Sequence, residues 1–134
     1  MIIEAMTIEE IYQFFATQPP IYLSSEQAVC YVLSVLLIEE SYGTRLIQKL
    51  ESDYPPYRLS DTVLYAALNF LETERALAQL NEVIASRPQK VDGRGRPRRM
   101  YSVSPQWLDE AQKLAALWRG FVTKHPQVPR AVAV

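Results

Sequence analysis

Apolar residues recur along this chain with a helical period in several separate stretches. Ile8, Ile11, Tyr12 and Phe15 follow Thr7-Ile8-Glu9-Glu10, a capping-box arrangement in which the threonine hydroxyl and the glutamate carboxylate satisfy each other's end of the first turn. This short amphipathic helix must stop at Pro19-Pro20, because proline donates no backbone hydrogen bond and disfavours helix in the residue before it. Ser24-Ser25-Glu26-Gln27 opens a second helix through Ala28, Val29, Val32, Leu33, Leu36 and Leu37, apolar on most sides and so expected at the centre of the core. Gly43 breaks that pattern. Leu46, Ile47 and Leu50 then mark a third, short helix that ends at Asp53-Tyr54-Pro55-Pro56-Tyr57.

Ser60 is an N-cap for a fourth helix whose apolar face is Leu64, Ala67, Leu68 and Leu71. Its opposite face carries Asp61, Thr62, Tyr65, Ala66 and Asn69. Between Ala76 and Ser86 the pattern is ambiguous: Leu77, Leu80 and Ile84 fit a helix, whereas Val83-Ile84 suits a strand, the reading preferred here. Residues 94–99 are too rich in glycine, proline and like charge for helix, and Met100-Tyr101-Ser102-Val103 alternates like a strand returning from a hairpin tip. Ser104-Pro105 starts a last helix with the stripe Trp107, Ala111, Leu114, Ala115, Trp118, Phe121 and Val122, ended by Pro126 and Pro129. The chain is therefore expected to be mainly α with one small β-hairpin.

Composition changes this picture little. With 134 residues and 49 % hydrophobic content, the chain suits one domain with a real core. Cys30, the only cysteine, permits no intrachain disulfide, and its bland reading is a small core hydrophobe. The N-terminus lacks a basic start and a small-residue cleavage site, and no apolar stretch approaches the ~20 residues that cross a bilayer. A cytoplasmic location with no membrane contact is expected. Catalysis has little to stand on: His125 is the only histidine, and no metal-ligand spacing, phosphate-cradling loop or carboxylate pair is evident. Neither an enzyme nor a cofactor is expected.

Charge distribution changes the picture more. Arg87, Lys90, Arg94, Arg96, Arg98 and Arg99 lie within thirteen positions opposed only by Asp92, a local charge of +5 in a chain whose total is −1. One basic surface on an otherwise acidic body suits a polyanionic partner. Helix, tight turn, helix and basic hairpin together suit duplex DNA, which needs cations for its phosphates and a rigid element for its major groove. On the fourth helix, Thr62 and Asn69 are types that contact base edges, and Arg58 precedes the cap where a phosphate contact is expected. Solvent-facing residues without a partner fit Thr62 and Asn69 equally well.

Three segments resemble the landmarks of PadR-like transcriptional regulators: 42–47 (Tyr-Gly-Thr-Arg-Leu-Ile), 59–72 (Leu-Ser-Asp-Thr-Val-Leu-Tyr-Ala-Ala-Leu-Asn-Phe-Leu-Glu) and 95–104 (Gly-Arg-Pro-Arg-Arg-Met-Tyr-Ser-Val-Ser). The resemblance spans roughly Ser24 to Lys124, and the whole chain is further similar to a branch of that family tied to the cyanobacterial circadian clock. It implies a winged helix-turn-helix domain (23–104) with an N-terminal helical extension (1–22) and a long C-terminal dimerisation helix and tail (105–134). It also implies a homodimeric repressor on an inverted-repeat promoter site. DNA contacts would come from Arg58, Ser60, Asp61, Thr62, Tyr65 and Asn69, and from Arg94, Arg96, Arg98 and Arg99 in the wing. Ala111, Leu114, Trp118, Phe121 and Val122 form the stripe a dimer helix needs. Two landmarks depart: Thr62-Val63 stands where the family has Gly-Thr, and Ala76 replaces a glycine at the end of the recognition helix.

Two other readings stay open. Some relatives hold aromatic effectors between interface tryptophans, a role for Trp107 and Trp118, although core or interface anchoring is the commoner use of buried tryptophan. Alternatively, the fold serves as a protein-interaction module without DNA, holding a partner through Tyr12 and Phe15. Such a module has no need of a basic wing.

Overall fold

The computed structural model describes residues 6–16, 20–72, 82–89 and 98–124, leaving out the side chains of 14 and 15. Phe15, Lys90, Arg94, Arg96 and His125, and the stretch from Ala76 to residue 81, fall outside that description. The described helices are α1 (Ile8–Ala16), α2 (Ser25–Leu36), α3 (Gly43–Asp53), α4 (Asp61–Glu72) and α5 (Leu108–Lys124). The described strands are β1 (Ile21–Tyr22), β2 (Tyr57–Arg58), β3 (Ile84–Gln89) and β4 (Arg98–Val103).

α2 is the centre of the core, as its pattern predicts. Both halves of its capping box are present: Ser24 Oγ accepts from the Gln27 amide at 3.1 Å, and Gln27 Oε1 accepts from the Ser24 amide at 2.9 Å. Every residue from Tyr31 to Leu36 is buried, so this stretch is enclosed on all sides, with α5 and α4 both packed against it. At α1, Thr7 Oγ1 accepts from the Glu10 amide at 3.1 Å, the first half of the predicted box.

Gly43 does not break a helix; it is the first residue of α3, and the polar turn falls before it. Leu46 and Leu50 of that helix are fully buried. Ser60 caps α4 by accepting from the Val63 amide at 3.2 Å, and Leu64, Ala67, Leu68 and Leu71 are all buried. α5 opens with a 3₁₀ turn, Pro105–Trp107, before the α-helix begins at Leu108.

β3 and β4 form the anticipated antiparallel hairpin, in register from Ile84 opposite Val103 to Gln89 opposite Arg98. Within the ambiguous stretch, the described residues from Ile84 onward are strand. On its other side, β4 is bridged by Ser41, which exchanges both backbone hydrogen bonds with Tyr101. Among the described residues β3 is therefore an edge, the position at which a strand tolerates Pro88. The sequence pattern did not indicate the parallel pair of β1 with β2, Ile21 opposite Tyr57 and Tyr22 opposite Arg58, which ties the segment before α2 to the turn after α3.

Trp118 fixes α5 to the body. It meets Tyr31, Tyr54 and Tyr57 edge-on, with ring centroids 5.3–5.6 Å apart, and stacks on Phe121 at 6.1 Å. Trp118 and Ala111 are closed inside the chain's own core, at 1 % and 0 % exposure. This corrects the expectation that the whole stripe faces a second copy. Four rings of its own chain surround Trp118. Leu114, Phe121 and Val122 are half-buried and pack on the same core.

Candidate nucleic-acid interface

The residues expected to read DNA lie on one side of α4. Burying Leu64, Ala67, Leu68 and Leu71 turns Asp61, Thr62, Tyr65, Ala66 and Asn69 outward, and all five are exposed. Phe70, which the polar face did not suggest, is also exposed there, at 44 %.

Tyr65 reaches back from α4 across the start of α3. Its hydroxyl lies where a Cβ on residue 43 would stand, so this approach depends on Gly43 having no side chain. Tyr42, at the N-cap of α3, makes no side-chain cap bond, and the first-turn N–H groups of a helix have no intrahelical acceptor. The start of a helix in that condition favours an anion.

Two wing arginines complete the arrangement. The Arg98 guanidinium lies 3.9 Å from the centre of the Tyr42 ring, a cation–π contact. Arg99 Nε donates to Ser86 Oγ at 2.9 Å, and the Ser86 hydroxyl donates in turn to the Glu72 carboxylate at 2.5 Å. That relay runs from the wing to the last residue of α4. The result is an open cleft of about 320 Å³ lined by Tyr42, Gly43, Thr44, Tyr65, Arg98, Arg99 and Tyr101. Burial pushes the Tyr101 phenol above its ordinary pKa; Glu72 and Tyr65 add to the shift and Arg99 opposes it, so the hydroxyl stays protonated at neutral pH.

Three other described cations are engaged elsewhere. Arg58 donates through Nη1 to the carbonyls of Pro55 and Tyr57, and its Nε lies 3.8 Å from Glu51. Its guanidinium thus braces the turn before α4. Arg87 is ion-paired with Glu40, and Arg45 lies 3.7 Å from Glu39. Arg94 and Arg96 lie outside the described residues. The start of α3 was the part of the cleft that reasoning from the fourth helix and the wing missed, although Tyr42-Gly43-Thr44 stands among the family landmarks.

Among the described residues no set of three histidine, cysteine or acidic side chains is placed to hold a metal. Burial raises the pKa of the half-buried Cys30 thiol, which leaves it a poor nucleophile. No described helix is long and apolar enough to cross a membrane.

Comparison with solved structures finds close relatives. The circadian clock associated protein Pex from Anabaena is 53 % identical, with 91 % of this chain and all of that one covered and a TM-score of 0.75. Pex from Synechococcus sp. is 54 % identical over 87 % of this chain and 98 % of the other, also at 0.75. A PadR-like transcription factor from Bacteroides fragilis shares the fold at 19 % identity, with 73 % and 84 % covered and a TM-score of 0.52. No family model and no curated protein matches the chain.

Proposed function

Because the chain belongs to the family of the circadian clock associated protein Pex and has the winged-helix fold of PadR-like regulators, we propose that it is a sequence-specific DNA-binding transcriptional regulator, a homodimeric repressor whose target affects the circadian clock. The observation that carries this reading is the convergence of the α3 start, Tyr65 of α4 and two wing arginines on one cleft. Thr62 and Asn69 present a hydroxyl and an amide to base edges, whereas Arg98, Arg99, Tyr65 and the first-turn amides of α3 suit backbone phosphates. A two-fold dimer would recognise an inverted repeat with half-sites about one helical turn, ~34 Å, or a multiple apart.

The test is a titration of the purified protein against its own promoter, neighbouring promoters and random duplex at two salt concentrations. Tight binding with a footprint on one fragment, lost steeply as salt rises, is expected. Equal, weak binding to every duplex would refute sequence-specific regulation, and no binding at low salt would favour an interaction module instead. An aromatic effector has less support, because Trp118 is filled by its own neighbours.

A further inference from the structure

The cleft between the α3 start and the wing gathers more positive charge than one DNA backbone phosphate needs. Arg98 and Arg99 both line it, and among the described residues no carboxylate does. Arg98 lies over the Tyr42 ring with its Nε buried and without an acceptor among the described residues, and Arg99 forms its one described side-chain bond through Nε, to Ser86. The amides of Gly43, Thr44 and Arg45 precede the first bond inside α3, in which Leu46 donates to the Tyr42 carbonyl at 2.9 Å. Thr44 adds an exposed hydroxyl in the same turn. A phosphodiester brings one negative charge to these donors. A phosphate monoester brings close to two at neutral pH, with three unsubstituted oxygens, and so matches two guanidiniums and a helix start better.

The rest of the lining is aromatic. Tyr65 sets the hydroxyl end of its ring at Gly43 and is 52 % exposed, so a flat group can lie against it. At about 320 Å³ the cleft has the size of a small-molecule site. We propose that it takes a nucleoside 5′-monophosphate, with the phosphate between the α3 start and the two arginines and the base against Tyr65, and that this free nucleotide competes with DNA. The competition rests on the reading of the cleft as a site for the DNA backbone; the binding itself does not. A nucleotide in the cleft would occupy the same two guanidiniums that a backbone phosphate needs, so affinity for the operator would fall as nucleotide concentration rises.

Calorimetric titration of the full chain at low salt with AMP, 3′,5′-cyclic AMP, ribose 5-phosphate and adenosine separates the parts. AMP is expected to bind at least about tenfold tighter than cyclic AMP, which keeps the base and sugar but carries a singly charged diester. It should also bind tighter than ribose 5-phosphate, which lacks the base, and adenosine should not bind. Arg98→Ala with Arg99→Ala should weaken AMP about tenfold or more, whereas Arg87→Ala, whose charge Glu40 already meets, should leave it unchanged; thermal melts confirm that each variant is folded. AMP should in addition displace a labelled promoter duplex in fluorescence anisotropy. No AMP binding, equal binding of cyclic AMP, or undiminished binding by the double variant would overturn the site, and duplex binding in the same preparation would leave the DNA reading standing. Ribose 5-phosphate bound as tightly as AMP would overturn the nucleotide as the ligand. AMP binding that leaves duplex affinity unchanged would overturn the competition, and AMP binding by a protein that binds no duplex would overturn the DNA reading and the competition together.

Discussion

Arg98→Ala combined with Arg99→Ala should flatten the salt dependence of DNA binding by an amount that the ion-pair map sets. Among the described basic residues around α4 and the wing, Arg58, Arg45 and Arg87 each have a carboxylate partner, whereas Arg98 and Arg99 hold no ion pair with a described residue. Only an uncompensated cation releases a full counterion when it meets a phosphate, so the two arginines should supply a slope of about 1.8 per protomer and about 3.6 per dimer. Between 50 and 200 mM salt, wild-type affinity should then fall about 150-fold further than that of the double variant. Arg87→Ala is the matched control, because Glu40 already neutralises that charge and its removal should leave the slope nearly unchanged. The assay is fluorescence anisotropy of a labelled duplex across a salt series, with thermal melts of each variant to exclude unfolding. A wild-type slope in the double variant, or an equal loss in Arg87→Ala, would show that free wing cations are not what grips the backbone.

Three further outcomes follow from the packing. Trp118→Ala should cost about 3–5 kcal/mol in a urea titration, since it empties the middle of a ring cluster; a loss below 1 kcal/mol would return Trp118 to an intermolecular role. Gly43→Ala should leave stability within about 1 kcal/mol, because the exposed Tyr65 ring can swing aside, yet should weaken DNA binding as Tyr65→Phe does; unchanged affinity in both would remove Tyr65 from the cleft's function. Burial first, then Asp53 and Tyr54, hold the Tyr31 phenol above its ordinary 10.0 against the opposing pull of Arg45, and its hydroxyl donates to the Leu46 carbonyl at 2.7 Å. Its folded pKa is raised, so this stability is complete below about pH 10 and is lost as pH climbs above it; denaturation midpoints at pH 9 to 11 should fall, and less steeply in Tyr31→Phe.

Most helices were legible because their ends and faces are written locally. Ser24 and Ser60 stand directly before apolar periodic runs, and both cap the helices they announce. The β1–β2 pair was not legible, since two residues have no measurable period and Pro55-Pro56 announces only a turn. Periodicity also cannot say what covers an apolar stripe. It placed Ala111 and Trp118 on the same face as Leu114, but only the positions of Tyr31, Tyr54 and Tyr57 show that this chain covers them itself. The local role of Arg58 was equally invisible: a cation beside a helix cap looks outward in sequence, whereas the bend of the turn brings the Pro55 and Tyr57 carbonyls to it.

The wing and α4 are joined closely enough to act as one reading head. Glu72 at the end of α4 accepts from Ser86 of β3, and Ser86 accepts from Arg99 of β4, so a single chain of hydrogen bonds runs from α4 to a basic side chain of the wing. The Val83 amide donates to the Leu71 carbonyl, and the Ser41 bridge holds β4 from its other side. Tilting the hairpin away from α4 would break these bonds together, which restricts the wing and helix to one mutual angle. Charge acts at longer range in the same sense. With +5 between residues 87 and 99 and −6 on the rest of the chain, a polyanion is attracted to this face and repelled elsewhere. On the proposed reading, encounter is thereby oriented before contact, and the hydrogen-bonded head would need no rearrangement to offer Asn69 and Thr62 to bases and Arg98 and Arg99 to the backbone.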